Sequence, residues 1–203
     1  RNWQRGDAGG MTRLLLAALL LLLPLGPAPG GRGLAEASAA PHRPTRLFLA
    51  RHGQRIDYEN KDWVVRAHNP FDPYSTKGAV KMAAKLGCFL NDRKVERVLT
   101  SPSLRAVQYA NAAAMCMDGI YHMYPETGIC DFLHEALYPG AIGLEAIFNV
   151  PKHLKWVSHM IDDDYGSFVR PKFPESLAQF ERRCKDVIGK ICEGHAGQTL
   201  LIM

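Results

Sequence analysis

Between residues 41 and 203 the spacing of apolar side chains alternates between two periods. RLFLA (46–50) is a short continuous apolar run after a proline, the pattern of a buried strand. A loop rich in Asn, Asp and Pro follows, and Ser75 or Thr76 stands where it can cap a helix. One face of that helix carries Ala79, Val80, Met82, Ala83, Leu86 and Leu90. A second strand is predicted over 95–100, stopped by Ser101-Pro102, and a helix bearing Leu104, Val107, Ala110 and Ala114 comes next. A third strand is predicted around 121–124, after which 125–150 is irregular and dotted with glycine. Pro174 and Glu175 open a long helix with Leu177, Phe180, Val187 and Ile191, closed by Gly194 or Gly197. Residues 199–203 again read as a buried strand. This order predicts an α/β fold, a three-layer sandwich around a mostly parallel central sheet.

Residues 1–40 are of another kind. They hold seven of the 18 glycines and show neither period. Met11-Thr12-Arg13 precedes ten apolar residues (14–23) ended by Pro24, and 35–40 offers small-residue cleavage sites. This is the layout of a secretory signal. The apolar run is too short for a stable membrane span. The alternative is a low-complexity leader with mistranslated upstream residues. The chain therefore divides into a leader, 1–40, and one domain, 41–203. A genuine leader implies a secreted or secretory-pathway protein, and otherwise the protein is cytoplasmic.

Composition narrows the classes further. The net charge of +5 would suit a polyanion binder, but residues 41–203 carry 21 basic and 18 acidic side chains. That balance gives no electrostatic case for nucleic acid. Five cysteines leave at least one unpaired, and no C-x-x-C pair is present. Cys184 and Cys192 are separated by about 12 Å along one helix, beyond disulfide reach. Buried small hydrophobes are the role expected for most of the cysteines.

Parallel sheets collect their chemistry at the carboxyl ends of the strands. Arg51-His52-Gly53-Gln54-Arg55 follows the first strand, and Ser101-Pro102-Ser103-Leu104-Arg105 follows the second. An imidazole between two arginines, with a glycine allowing close backbone approach, can hold a phosphoryl dianion against a nucleophilic nitrogen. Arg105, opening a helix, supplies a third guanidinium where anions are favoured. Alone, His52 would read as a loop histidine and the arginines as solvated surface; the order and spacing of the two blocks raise the functional reading. Asp162-Asp163-Asp164 reads as a solvated turn ahead of a cation site. Phe148, Leu154 and Trp156 form either part of a lid or a peripheral packing cluster.

RLFLARHGQR, STKGAVKMAAKLG, VERVLTSPSLRAVQYA and TLLIM resemble the histidine phosphatase superfamily, in its phosphoglycerate-mutase-like branch. Within that branch the chain is most similar to the phosphatase domain of the suppressor of T-cell receptor signalling proteins. The resemblance runs from about residue 45 to 203 and is poor in the middle. It implies that His52 is the nucleophile that becomes phosphorylated, and that Arg51, Arg55 and Arg105 bind phosphate. Leu133-His134-Glu135 falls at the family's L-x-E element and makes Glu135 the candidate general acid. No cofactor and no metal are implied. The expected substrate is a phosphorylated small molecule or phosphoprotein, and a homodimer is compatible with the resemblance.

Two departures from the family pattern stand out. Gln54 occupies a position that is usually glutamate. The family's second catalytic histidine would lie two residues beyond Met203, and neither His195 nor His153 and His159 replaces it. The domain is therefore read as truncated at its carboxyl end, with little or no activity as written. Three functions follow as expectations: a phosphomonoester hydrolase acting through a phosphohistidine, a secreted histidine acid phosphatase, or a non-catalytic phosphate-binding fragment.

Overall fold

A computed structural model describes residues 43–148, 154 and 157–203. The expected leader (1–40), His153 and Trp156 lie outside the described residues. Strand β1 (Arg46–Leu49) is followed by two single-turn helices, α1 (Ile56–Glu59) and α2 (Trp63–Arg66), within the segment read as loop. Then come α3 (Lys77–Asn91), β2 (Arg97–Thr100), α4 (Leu104–Ala114) and β3 (Met123–Pro125). Two 3-10 turns (Thr127–Ile129 and Glu135–Leu137), α5 (Leu144–Ile147), α6 (Leu177–Gly194) and β4 (Thr199–Ile202) complete the order.

The four strands form one all-parallel sheet in the order β1-β4-β2-β3. Alternate strand residues face opposite sides, which sorts the core into two layers. Val98, Met123 and Leu201 pack with Ala83, Leu90, Val107 and Ala110 of α3 and α4. Leu99, Leu200 and Ile202 pack with Val187 and Ile191 of α6. The result is the expected three-layer α/β sandwich. A third cluster joins Leu133, Tyr138, Ile147 and Phe148 to Phe71 and Phe173, outside the sheet layers.

Helix boundaries follow local chemistry. The Thr76 hydroxyl accepts the Ala79 N–H and starts α3. Ser176 and Gln179 form a reciprocal capping box, so α6 begins at Leu177. Pro174 and Glu175 therefore precede that helix instead of opening it, and the Glu175 N–H is given to the Leu133 carbonyl. Helices α3 and α4 approach so closely that a Cβ at Gly87 would lie 2.1 Å from the Ala113 carbonyl oxygen. β1 is an edge strand among the described residues, which leaves Leu49 43% exposed against the expectation of a fully buried run. Of the cysteines, only Cys130 is buried; Cys88 is exposed and the other three are intermediate.

Candidate active site

β1 and β2 lie on either side of β4, and the chain leaves both at the same edge of the sheet. The segment after β1 carries His52 against α3 and α4. Gly53 permits this, since a Cβ there would fall 2.5 Å from that of Ala79 and 3.0 Å from the Tyr109 ring. The segment after β2 turns into α4, whose Ser103 N-cap makes no side-chain cap. Asp72, from the loop before α3, accepts the Leu104 N–H at 2.8 Å instead.

The imidazole of His52 is held at both nitrogens. Nδ1 lies 2.8 Å from the Gly53 carbonyl, and the Arg105 Nε–H points at Nε2 from 3.1 Å. A carbonyl only accepts and a guanidinium only donates. Nδ1 therefore carries the proton, Nε2 presents a lone pair, and the ring is neutral. Electrostatics agrees: the His52 pKa is lowered to about 4, by burial first and then by the charges of Arg105, Arg51 and Arg55.

Arg105 is only 3% exposed. Its guanidinium lies 3.6 Å from the Asp72 carboxylate and in contact with that of Asp131. Burial and the nearby Arg55 charge pull its pKa down, against the pull of Asp72. Arg55 forks onto Asp57 at 3.0 and 2.6 Å and stacks over the Tyr58 ring at 4.9 Å. Asp57 outweighs desolvation and raises the Arg55 pKa. Arg51 is exposed. The structure thus brings His52, Arg51, Arg55 and Arg105 together, a concentration of cations that an oxyanion would relieve.

Among the described residues, Glu135 forms no ion pair with Arg51, Arg55 or Arg105. It opens an exposed 3-10 turn. Two carboxylates reach Arg105, buried Asp72 and exposed Asp131, and Asp131 shares a small concavity with Arg105, Ser101, Ser103, Phe71 and Tyr138. Asp131 follows the end of β3 by six residues, and only its place after a strand end, with no motif around it, marks it in the sequence. Its loop is tied down from α6: the Arg183 guanidinium donates to the carbonyls of Gly128, Cys130 and Asp131 at 2.8, 3.1 and 3.0 Å. Arg183 also pairs with buried Glu175, whose carboxylate accepts the Leu133 N–H at 3.0 Å. Arg183, Val187 and Ile191 line one buried face of α6, so a charge in an apolar stripe was the available sign of a buried partner.

No other histidine among the described residues hydrogen-bonds to this group. His134 accepts the Ala136 N–H, and His195 packs on Phe168. Among the described residues, no three metal-ligating side chains cluster, and no helix is long and apolar enough to cross a membrane. Asp162 caps its own turn by accepting the Asp164 N–H.

A family model described as histidine phosphatase superfamily (branch 1) matches residues 47–203. No curated protein matches the chain by sequence. The fold is similar to the crystal structure of the ecdysone phosphate phosphatase from Bombix mori in complex with tungstate. That similarity has a TM-score of 0.67 at 20% identity over 77% of this chain and 71% of the other. It is also similar to Bacillus stearothermophilus YhfR, with a TM-score of 0.51 at 22% identity over 78% and 72%.

Proposed function

The chain belongs to the histidine phosphatase superfamily, branch 1, and from that premise we propose that it is a phosphomonoester hydrolase working through a phosphohistidine at His52. The observation that carries this reading is the pair of hydrogen bonds on the His52 ring, which keep it neutral with Nε2 as the free base among three arginines.

An incoming phosphoryl dianion takes over the Arg105 N–H groups. This frees the Nε2 lone pair to attack phosphorus in line, while Arg51, Arg55 and Arg105 neutralise the equatorial oxygens. The bond from phosphorus to the leaving oxygen breaks, and that oxygen needs a proton. We assign this step to Asp131 ahead of Glu135, because Asp131 pairs with Arg105 from an exposed position, whereas Asp72, the other carboxylate beside Arg105, is buried and holds the Leu104 N–H. Arg105 by itself favours ionised Asp131. Once the dianion occupies Arg105, the adjacent negative charge favours the acid form. Water then attacks the phosphohistidine and gives its proton to Asp131, releasing phosphate. The fold relative named for ecdysone phosphate supports a phosphomonoester as substrate.

The test combines turnover with trapping. The full-length form is expected to hydrolyse an aryl phosphate and to acquire an acid-labile, base-stable phosphoryl label. His52→Ala is expected to lose both, and undiminished turnover in that variant refutes the proposal. Asp131→Asn should slow hydrolysis of an alkyl phosphate by about 10²–10⁴-fold, and of p-nitrophenyl phosphate much less, since that leaving group needs little proton assistance. Glu135→Gln should leave both rates unchanged; the opposite pattern returns the acid role to Glu135.

A further inference from the structure

Helices α3 and α4 meet at the end remote from His52, and two thiols meet there with them. The Ala113 carbonyl oxygen is the common point. It accepts the Cys116 N–H at 3.0 Å, and a Cβ on Gly87 would stand 2.1 Å from it. Cys88 and Cys116 are thus neighbours of one backbone contact that only a glycine permits. Their side chains are neighbours too, since Cys88 acts on the Cys116 thiol at short range. A second tie holds the same ends together: Asn91 donates to the Asp118 carboxylate at 3.1 Å and accepts the Asp118 N–H at 2.7 Å. Cys88 is exposed and Cys116 partly so. The phosphoryl chemistry uses neither.

We propose that Cys88 and Cys116 form a dithiol site that closes reversibly to a disulfide, joining α3 to the segment after α4 with a small-molecule disulfide of the glutathione type as oxidant. Disulfides need paired Cβ atoms at close range and little backbone movement, and backbone contact at Gly87 and Ala113 with an adjoining side-chain lock supplies that setting. Burial, then neighbouring Cys88, pushes the Cys116 thiol up. Exchange therefore begins at exposed Cys88. Its thiolate attacks one donor sulfur and expels one small thiolate, leaving a mixed disulfide on Cys88. The Cys116 thiolate then attacks the Cys88 sulfur, and the second small thiolate leaves. Two protein thiols are oxidised, the donor is reduced to two thiols, and the two protons pass to the leaving groups.

The experiment treats the full chain with oxidised glutathione at about pH 8, where thiol–disulfide exchange proceeds, and maps the product by non-reducing proteolysis and mass spectrometry. The expected product is one peptide linking Cys88 to Cys116, lighter by two hydrogens and reopened by dithiothreitol. Cys116→Ser should stall as the glutathione adduct of Cys88. The melting temperature of the oxidised wild type should rise by roughly 5–10 °C, with no rise for Cys88→Ser. A stable adduct on wild-type Cys88 beside a free Cys116, a linkage to another cysteine, or closure only in urea would each overturn the proposal.

Discussion

His52 concentrates the argument in one ring. Its folded-state pKa, about 4, lies below the ordinary 6.5. Between those values the unfolded chain binds a proton that the folded chain does not. The stability this group contributes is therefore complete above about 6.5 and is lost as the pH falls toward 4. Catalysis should share the lower limit, because only the neutral ring attacks phosphorus. Nitrogen-resolved NMR of His52 should show the neutral Nδ1–H tautomer at pH 6 and a protonation midpoint near 4. Arg105→Met, which removes one of the opposing charges, should move the midpoint up toward 6.5. An ordinary midpoint in the wild type would remove the electrostatic basis of the site.

Helix α6 supplies a clamp as well as a layer. Arg183 is 5% exposed, and its guanidinium serves a carboxylate and three loop carbonyls at once. Arg183→Met leaves Glu175 buried without its partner, and urea denaturation should report a loss of about 3–5 kcal/mol. Replacing Glu175 with leucine in the same protein should restore only part of this, because the carbonyls of Gly128, Cys130 and Asp131 stay unpaired. Full restoration would show that the loop does not depend on the clamp. The same element explains what the sequence could and could not disclose. RHG after β1 and SPSLR before α4 are local patterns, readable because a strand end and a helix start lie a few residues apart. Asp131 is placed by Arg183, which follows it by 52 positions, so no short pattern registers it. The nearby Leu133-His134-Glu135 resembles a short family element, and that local match is what makes Glu135 legible as a candidate acid. Helix α6 is legible from its apolar stripe, but Pro174 and Glu175 imitate a helix start, whereas the capping box of Ser176 and Gln179 begins it at Leu177.

At the scale of the whole molecule, the sheet is joined through β4. Thr199–Ile202 pairs with β1 on one side and β2 on the other, and every residue of the strand is buried. Leu201 is fully enclosed among residues of α3 and α4. Leu201→Ala should cost about 2–5 kcal/mol, read as a lower urea midpoint, while Val65→Ala at an 86% exposed position should cost little. Equal costs would contradict the layer assignment. The strand order also has a temporal side. β1 and β2 are made early in synthesis, and β2 can pair with β3, yet β1 and the facing edge of β2 find their neighbour only when residues 199–202 leave the ribosome. Until then β1 and the facing edge of β2 stay unpaired, and the pair of helices has half a floor beneath it. It is in that interval, before the central strand emerges, that a chaperone has most to shield.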